Sequence, residues 1–214
     1  MPSNEDIEYT DEFITKLQIA FGKGFLSPGG VEEVAKIVEG IDLNGKEVLD
    51  IGVGIGGPAC LLVTNHGAGK VTGIDVEEPV LREAQATVSS QNLENQIDLQ
   101  IVTPGSLPFD DATFDVVFSK DSIIHIPDKQ SLFSEVYRVL NPGGWVVMSD
   151  WYCSEEPFTE EMSNWVVQVT AIWLPHSDRK MPMIGWLGQR QGLSYRNKGS
   201  SVQDIFGVAS LYEH

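Results

Sequence analysis

Four glycines within six positions, Gly52, Gly54, Gly56 and Gly57, directly follow the run Glu47-Val48-Leu49-Asp50-Ile51, and this stretch constrains the chain more than any other. Val48, Leu49 and Ile51 form the short apolar run of a strand buried on both faces. Pro58 stands where a first helical residue tolerates proline, and Ala59 to Val63 continues as a buried helix up to the breaker His66-Gly67-Ala68-Gly69. Strand, glycine turn and helix in that order give the Gly52-x-Gly54-x-x-Gly57 spacing the context of a nucleotide-binding turn.

Asp50, two positions before the first glycine, selects among nucleotides. A carboxylate facing a pyrophosphate repels it by roughly several kcal/mol at low effective dielectric, which disfavours an anionic dinucleotide such as NAD. S-adenosylmethionine fits better, because it carries an ammonium, a sulfonium and an adenosine but no phosphate. The glycines let the backbone approach its methionine part closely, and the following helix N-terminus favours its carboxylate. The other role open to Asp50 is local capping of the loop amides.

The 214-residue length suits one domain with a small appendage. A net charge of −17 opposes binding to nucleic acid and suits a small or cationic acceptor, while also serving plain solubility. Cys60 and Cys153 are far apart and unpatterned, so neither a disulfide framework nor a metal site is implied, and a reduced cytoplasmic protein is the default. Neither a signal peptide nor a membrane span is legible, since Met1 to Asp6 is polar and no early apolar run is long.

Taken in order, Thr10-Asp11-Glu12 starts an amphipathic helix carrying Phe13, Ile14, Leu17, Ala20 and Phe21. Val31, Val34, Ala35 and Val38 then make the apolar face of a second short helix, which ends at Gly40. Residues 1–40 thus form an N-terminal pair of helices, expected either as a lid over the nucleotide site or as packing on a sheet edge. Lys70 to Asp75 reads as a second strand ending in an acid 18 residues past Gly57, near the spacing at which such folds bind the ribose hydroxyls. Asp75 also suits a cap on the next helix. Val76 would flank the adenine.

A helix from Glu78 to Gln91, a third strand from Ile97 to Val102, and a Pro- and Gly-rich crossing from Thr103 to Asp111 follow. Phe114 to Ser119 reads as a fourth strand, and Lys120-Asp121-Ser122-Ile123-Ile124-His125 leaves it where open parallel sheets place ligands. Asp128 caps a helix from Lys129 to Leu140, and Asn141-Pro142-Gly143-Gly144 turns into a fifth strand, Trp145 to Asp150. The alternation predicts an α/β fold, a doubly wound, mostly parallel Rossmann-like sheet over residues 41–174.

The acid-then-glycine turn, Gly73-Ile74-Asp75, Leu107-Pro108-Phe109 with Phe114-Asp115, and Leu140-Asn141-Pro142-Gly143-Gly144 together resemble class I S-adenosylmethionine-dependent methyltransferases. Three further pieces are similar to phosphoethanolamine N-methyltransferases: Tyr9-Thr10-Asp11-Glu12, then Phe21-Gly22 with Ser27-Pro28-Gly29-Gly30, and Ser119 to His125. The resemblance implies a latch of Tyr9 with His125 that orients and deprotonates an amine, with Asp121 close to the acceptor nitrogen. It implies cofactor contacts from Ser27, Asp50, Gly52, Gly54, Gly56, Asp75, Val76, Gly105, Ser106 and Lys120. A histidine titrating near neutrality suits the proton-accepting role, because an amine attacks a methyl carbon only through a free lone pair.

This sequence departs from the family at several points. Pro104 replaces the acid that meets the adenine amino group, which leaves that contact to backbone or to Ser106, and Lys120 replaces an arginine. Trp151 or Tyr152 could box a methylated ammonium, although packing is the commoner role for such aromatics. Glu160 to Trp173 suits a helix, whereas residues 175–214 show no regular pattern and no match to the family's phosphate-gripping residues. This leaves an open sheet edge that invites pairing or a homodimer. The expected function is methyl transfer to a small amine, phosphoethanolamine-like or glycine- or sarcosine-like. Transfer to a quinone or lipid-like carbon, or cofactor binding without turnover, are the other readings.

Overall fold

The computed structural model describes residues 9–151 and the backbone of residues 183–189. Two helices come first, α1 (Asp11–Phe21) and α2 (Gly30–Ile37). Then follow β1 (Glu47–Ile51), α3 (Gly57–Thr64), β2 (Lys70–Asp75), α4 (Glu78–Ser90), β3 (Ile97–Ile101) and β4 (Phe114–Lys120). A 3-10 turn (Ile123–His125), α5 (Lys129–Val139), β5 (Leu140–Trp151) and β6 (Met183–Gln189) complete the order.

The sheet runs β3-β2-β1-β4-β5-β6, with the first five strands parallel. Reversal of order between β1 and β4 opens the crevice at the strand ends in which such sheets bind ligands. Alternation along each strand divides the core. Val48, Val116, Phe118 and Val147 face a layer built from α2, α3 and α4 through Val34, Ile37, Leu62, Val63 and Val88. Leu49, Ile51, Val117, Val146 and Met148 face the opposite layer, where α5 contributes Leu132, Val136 and Val139. A strand apolar on both faces is what two covering layers require.

Capping follows the sequence closely. Thr10 accepts from the Phe13 amide at 3.2 Å to start α1, and Asp128 accepts from the Ser131 amide at 2.9 Å to start α5. α2 departs from expectation: Val31 and Ala35 are exposed, and its inward face carries Glu33, Val34 and Ile37. The helix is rotated so that a carboxylate goes inside, where it meets a cation described below.

The Asn141-Pro142-Gly143-Gly144 segment does not precede the fifth strand; it lies within it. Phe114 pairs with Leu140 and Val116 with Trp145, so these four residues bulge out of the ladder between paired positions. Within the segment expected to be irregular, β6 pairs antiparallel with β5 from Trp145↔Gln189 to Trp151↔Met183. The edge of β5 is therefore covered by this one strand, and the sheet's edge moves out to β6. Two glycines in Met183-Ile184-Gly185-Trp186-Leu187-Gly188-Gln189 broke the strand pattern in the sequence. The helix expected from Glu160 to Trp173, with Trp151 and Tyr152 as aromatic walls, falls outside the described side chains.

Candidate active site

Asp50 sits in β1 between Gly73 of β2 and Phe118 of β4, and only 1% of it is exposed. Its Oδ2 atom is buried without a hydrogen-bond partner. Burial first, and the nearby Asp75 second, push its pKa up to about 8. The turn after it is pinned to β2, since the amides of Gly52 and Val53 both donate to the Ile74 carbonyl at 2.9 and 3.0 Å. Gly52 has φ of +74°, and a Cβ there would fall 2.3 Å from Ser122. An orphaned carboxylate behind such a turn is completed by a cationic ligand. These residues therefore fit the ammonium-bearing end of S-adenosylmethionine, and they do not fit a pyrophosphate.

Asp75 serves the backbone on two sides. Its Oδ2 accepts from the Gly54 amide at 3.0 Å, and its Oδ1 accepts from Val76 at 2.8 Å and Glu77 at 3.1 Å. The capping role expected of Asp75 is present: Oδ1 already accepts two amides and Oδ2 one, so a single lone pair is left over on Oδ2. Burial raises the Asp75 pKa against the lowering effect of those amides. Beside it, Val76 and Ile101 are exposed apolar side chains at the carboxyl ends of neighbouring strands, where an adenine ring could lie. Gly105 has open space around it, and Ser106 is exposed on the same edge.

Lys120, at the end of β4, is buried and committed to protein partners. Its Nζ donates to Ser27 Oγ at 2.7 Å, to the Pro28 carbonyl at 2.7 Å and to Asp121 Oδ2 at 2.5 Å. Glu33 Oε2 lies 3.0 Å from the same nitrogen as a counter-charge without hydrogen-bond alignment. Lys120 thus clasps the segment before α2 to the strand end. Asp121 adopts φ of +56°, uncommon for a residue with a side chain, and its Oδ1 is buried and unpartnered.

His125 ends the 3-10 turn that follows. Lys129 Nζ donates to the carbonyls of Ile123, Ile124 and Ile126, and Asp150 Oδ2 accepts from the Ile124 amide at 2.7 Å, so the turn is held from both sides. Burial first, and Lys129 second, hold the His125 pKa below its ordinary value, against the opposing pull of Asp121 and Asp75. The ring is accordingly neutral near pH 7, with a lone pair free to take a proton. Tyr9 packs on the cluster of Ile14, Ile55 and Val80, and its pKa is raised by burial and then by Asp75 and Glu77. Among the described residues no hydrogen bond joins Tyr9 to His125; both lie in the field of Asp75.

Four contributors escaped the sequence reading. Glu33 and Lys129 are single charges whose partners lie on other elements. Arg138 of α5 straps the loop after β3 by donating to the carbonyls of Leu107 and Phe109 at 3.0 and 2.7 Å and to Asp111 at 2.9 Å. Glu135 holds the same loop through the Leu107 amide at 2.8 Å. A Glu–Arg pair three residues apart on a helix reads as an ordinary surface pair, so no local signal marked it.

Comparison with known proteins agrees with this geometry. Residues 49–148 match the family described as "Methyltransferase domain". A 150-residue stretch is 35% identical to phosphoethanolamine N-methyltransferase 3 of Arabidopsis thaliana, covering 70% of this chain and 30% of that protein. The phosphoethanolamine N-methyltransferase of Plasmodium falciparum is 32% identical over 168 residues, covering 77% of this chain and 62% of that protein. Among solved structures, Haemonchus contortus phosphoethanolamine N-methyltransferase 2, in complex with phosphomonomethylethanolamine and S-adenosylhomocysteine, aligns with a TM-score of 0.66 and 34% identity. That alignment covers 75% of this chain and 37% of the other. Sheet order, glycine turn and these matches together make the chain similar to class I S-adenosylmethionine-dependent methyltransferase domains. Within that class, the chain is similar to the phosphoethanolamine N-methyltransferases. It spans 30% of the Arabidopsis relative's length.

Proposed function

We propose that this chain transfers a methyl group from S-adenosylmethionine to a small amine of the phosphoethanolamine type. The observation that carries the cofactor assignment is the buried, unpartnered Asp50 Oδ2 directly behind the glycine turn. Asp50 would hold the cofactor's ammonium, the backbone at Gly52, Gly54 and Gly56 would line its methionine part, and Asp75 the ribose hydroxyls. Val76 would pack on the adenine, with Gly105 and Ser106 at its edge, while Ser27 and Lys120 close the site from the N-terminal segment. S-adenosylmethionine supplies an electrophilic methyl carbon on a sulfonium. His125 would accept the amine proton, Tyr9 would close over the site, and Asp121 would keep the nitrogen in place for attack. The neutral state of His125 near pH 7 and the identity to phosphoethanolamine N-methyltransferases support the acceptor class.

Calorimetry with S-adenosylhomocysteine, followed by transfer of labelled methyl to phosphoethanolamine, tests both halves. Binding and turnover are expected. Absence of binding overturns the cofactor assignment, and binding without methylation of phosphoethanolamine overturns the acceptor assignment.

A further inference from the structure

Glu33 has no part in the reading above, yet the fold makes special room for it. It is the one acidic residue of α2 that faces inward, with 7% of its side chain exposed. Gly29, at φ of +98°, allows this, because a Cβ there would lie 1.9 Å from Glu33 Oε2. The three hydrogens of Lys120 Nζ are already taken by Ser27, Pro28 and Asp121, so Glu33 contributes charge to the cluster and not a hydrogen bond. Two carboxylates against one ammonium leave a negative charge in excess, in a cluster whose side chains are 3 to 7% exposed. A buried unbalanced charge is costly unless something of opposite sign completes it. Two carboxylate oxygens of the cluster lack a hydrogen-bond partner, Glu33 Oε2, which lies against Lys120, and Asp121 Oδ1, whose carboxylate lies within electrostatic reach of His125.

We infer that Glu33 is a specificity-determining residue. By half-neutralising Lys120 it leaves Asp121 anionic toward the acceptor, and so selects an ammonium-bearing substrate over an uncharged one. Without Glu33, Lys120 would cancel Asp121 and the preference would collapse. Glu33 touches neither substrate nor cofactor and acts through Lys120. The inference rests on the amine reading of the site.

The test compares two ligands on the S-adenosylhomocysteine complex by calorimetry: phosphoethanolamine, and glycol phosphate, which has a hydroxyl in place of the ammonium. Glu33→Gln is expected to reduce the preference for phosphoethanolamine about tenfold, equivalent to about 1.4 kcal/mol, without weakening S-adenosylhomocysteine binding. Glu33→Asp, which keeps the charge, is expected to retain most of that preference. An unchanged preference in Glu33→Gln, or equal losses in Glu33→Asp and Glu33→Gln, overturns the inference. A Glu33→Gln protein that has lost cofactor binding or its cooperative melt marks a structural residue and overturns it too. Wild-type protein that binds S-adenosylhomocysteine but does not prefer the ammonium ligand sinks the amine reading itself, and this is separable because it needs no variant.

Discussion

The carboxylate of Asp75 accepts the amide hydrogen of Gly54 at 3.0 Å, so the end of β2 holds the turn that leaves β1. Two elements that the sequence separates by 21 positions are thereby fixed in one geometry around Asp50. A ligand held by this turn is also held by the residue that shapes it, and site geometry and fold stability are coupled there.

Replacing Asp75 with alanine removes the acceptor from three amides, those of Gly54, Val76 and Glu77. The expected result is a loss of about 1 to 3 kcal/mol in S-adenosylhomocysteine affinity together with a lower melting temperature. Calorimetry and a thermal melt read the two effects separately. Unchanged affinity would remove Asp75 from the cofactor site.

For Asp50 the two effects run in opposite directions. Its folded pKa, pushed up to about 8, lies above the ordinary carboxylate value of 3.8, so the folded state binds a proton that the unfolded state releases. The stability from this group is full at low pH and is lost as pH rises toward 8. Asp50→Asn carries no such charge. It should melt higher than wild type in the ligand-free state, with the gap wider at pH 8 than at pH 5, while losing S-adenosylhomocysteine binding at least about tenfold. A variant that binds normally would separate Asp50 from the ammonium.

His125 sets the acid limb of the pH profile. Its pKa is held below the ordinary 6.5, so the ring keeps its lone pair as pH falls past that value and loses it only further down. The apparent pKa of kcat/KM on the acid side should therefore lie below 6.5, and His125→Ala should abolish that limb along with most of the rate. The same shift makes the folded state bind fewer protons than the unfolded one just below pH 6.5, so this residue also lowers stability as pH drops through that window. A limb displaced above 6.5 would point to another base.

What the sequence showed about this protein was local. The five parallel strands, the glycine turn and the acids at the ends of β1 and β2 are each written within a few consecutive residues, where apolar period and turn chemistry act directly. The Lys120 clasp was not legible, because Lys120 and Glu33 lie 87 positions apart and either charge alone suits a solvated surface. The rotation of α2 that buries Glu33 in place of Val31 follows from that distant partner, so helix periodicity put Val34 and Val38 inside correctly and Val31 and Ala35 wrongly. Arg138 was hidden for the same reason. β6 was missed on different grounds, since its two glycines weaken strand propensity and the extended chain depends on pairing with β5, which no local signal marks.

The N-terminal segment docks on the glycine turn through one close approach, and that approach can be broken selectively. The Gly57 amide, at the start of α3, donates to the Gly24 carbonyl at 3.1 Å. A Cβ on Gly57 would fall 2.1 Å from that oxygen and 2.7 Å from the carbonyl carbon, both backbone atoms that no side-chain rotation can move. Gly57 sits in ordinary helical backbone, so alanine adds bulk there without conformational strain and should improve intrinsic helix propensity. Any damage from Gly57→Ala therefore reports the lost docking. A destabilisation of about 1 to 3 kcal/mol is expected, the usual scale for forcing an extra carbon into a packed contact. Trypsin should cleave faster at Lys23, which lies beside the broken contact, because a freed segment opens more often. Equal cleavage rates at Lys23 in wild type and Gly57→Ala would show that other contacts hold the segment over the site.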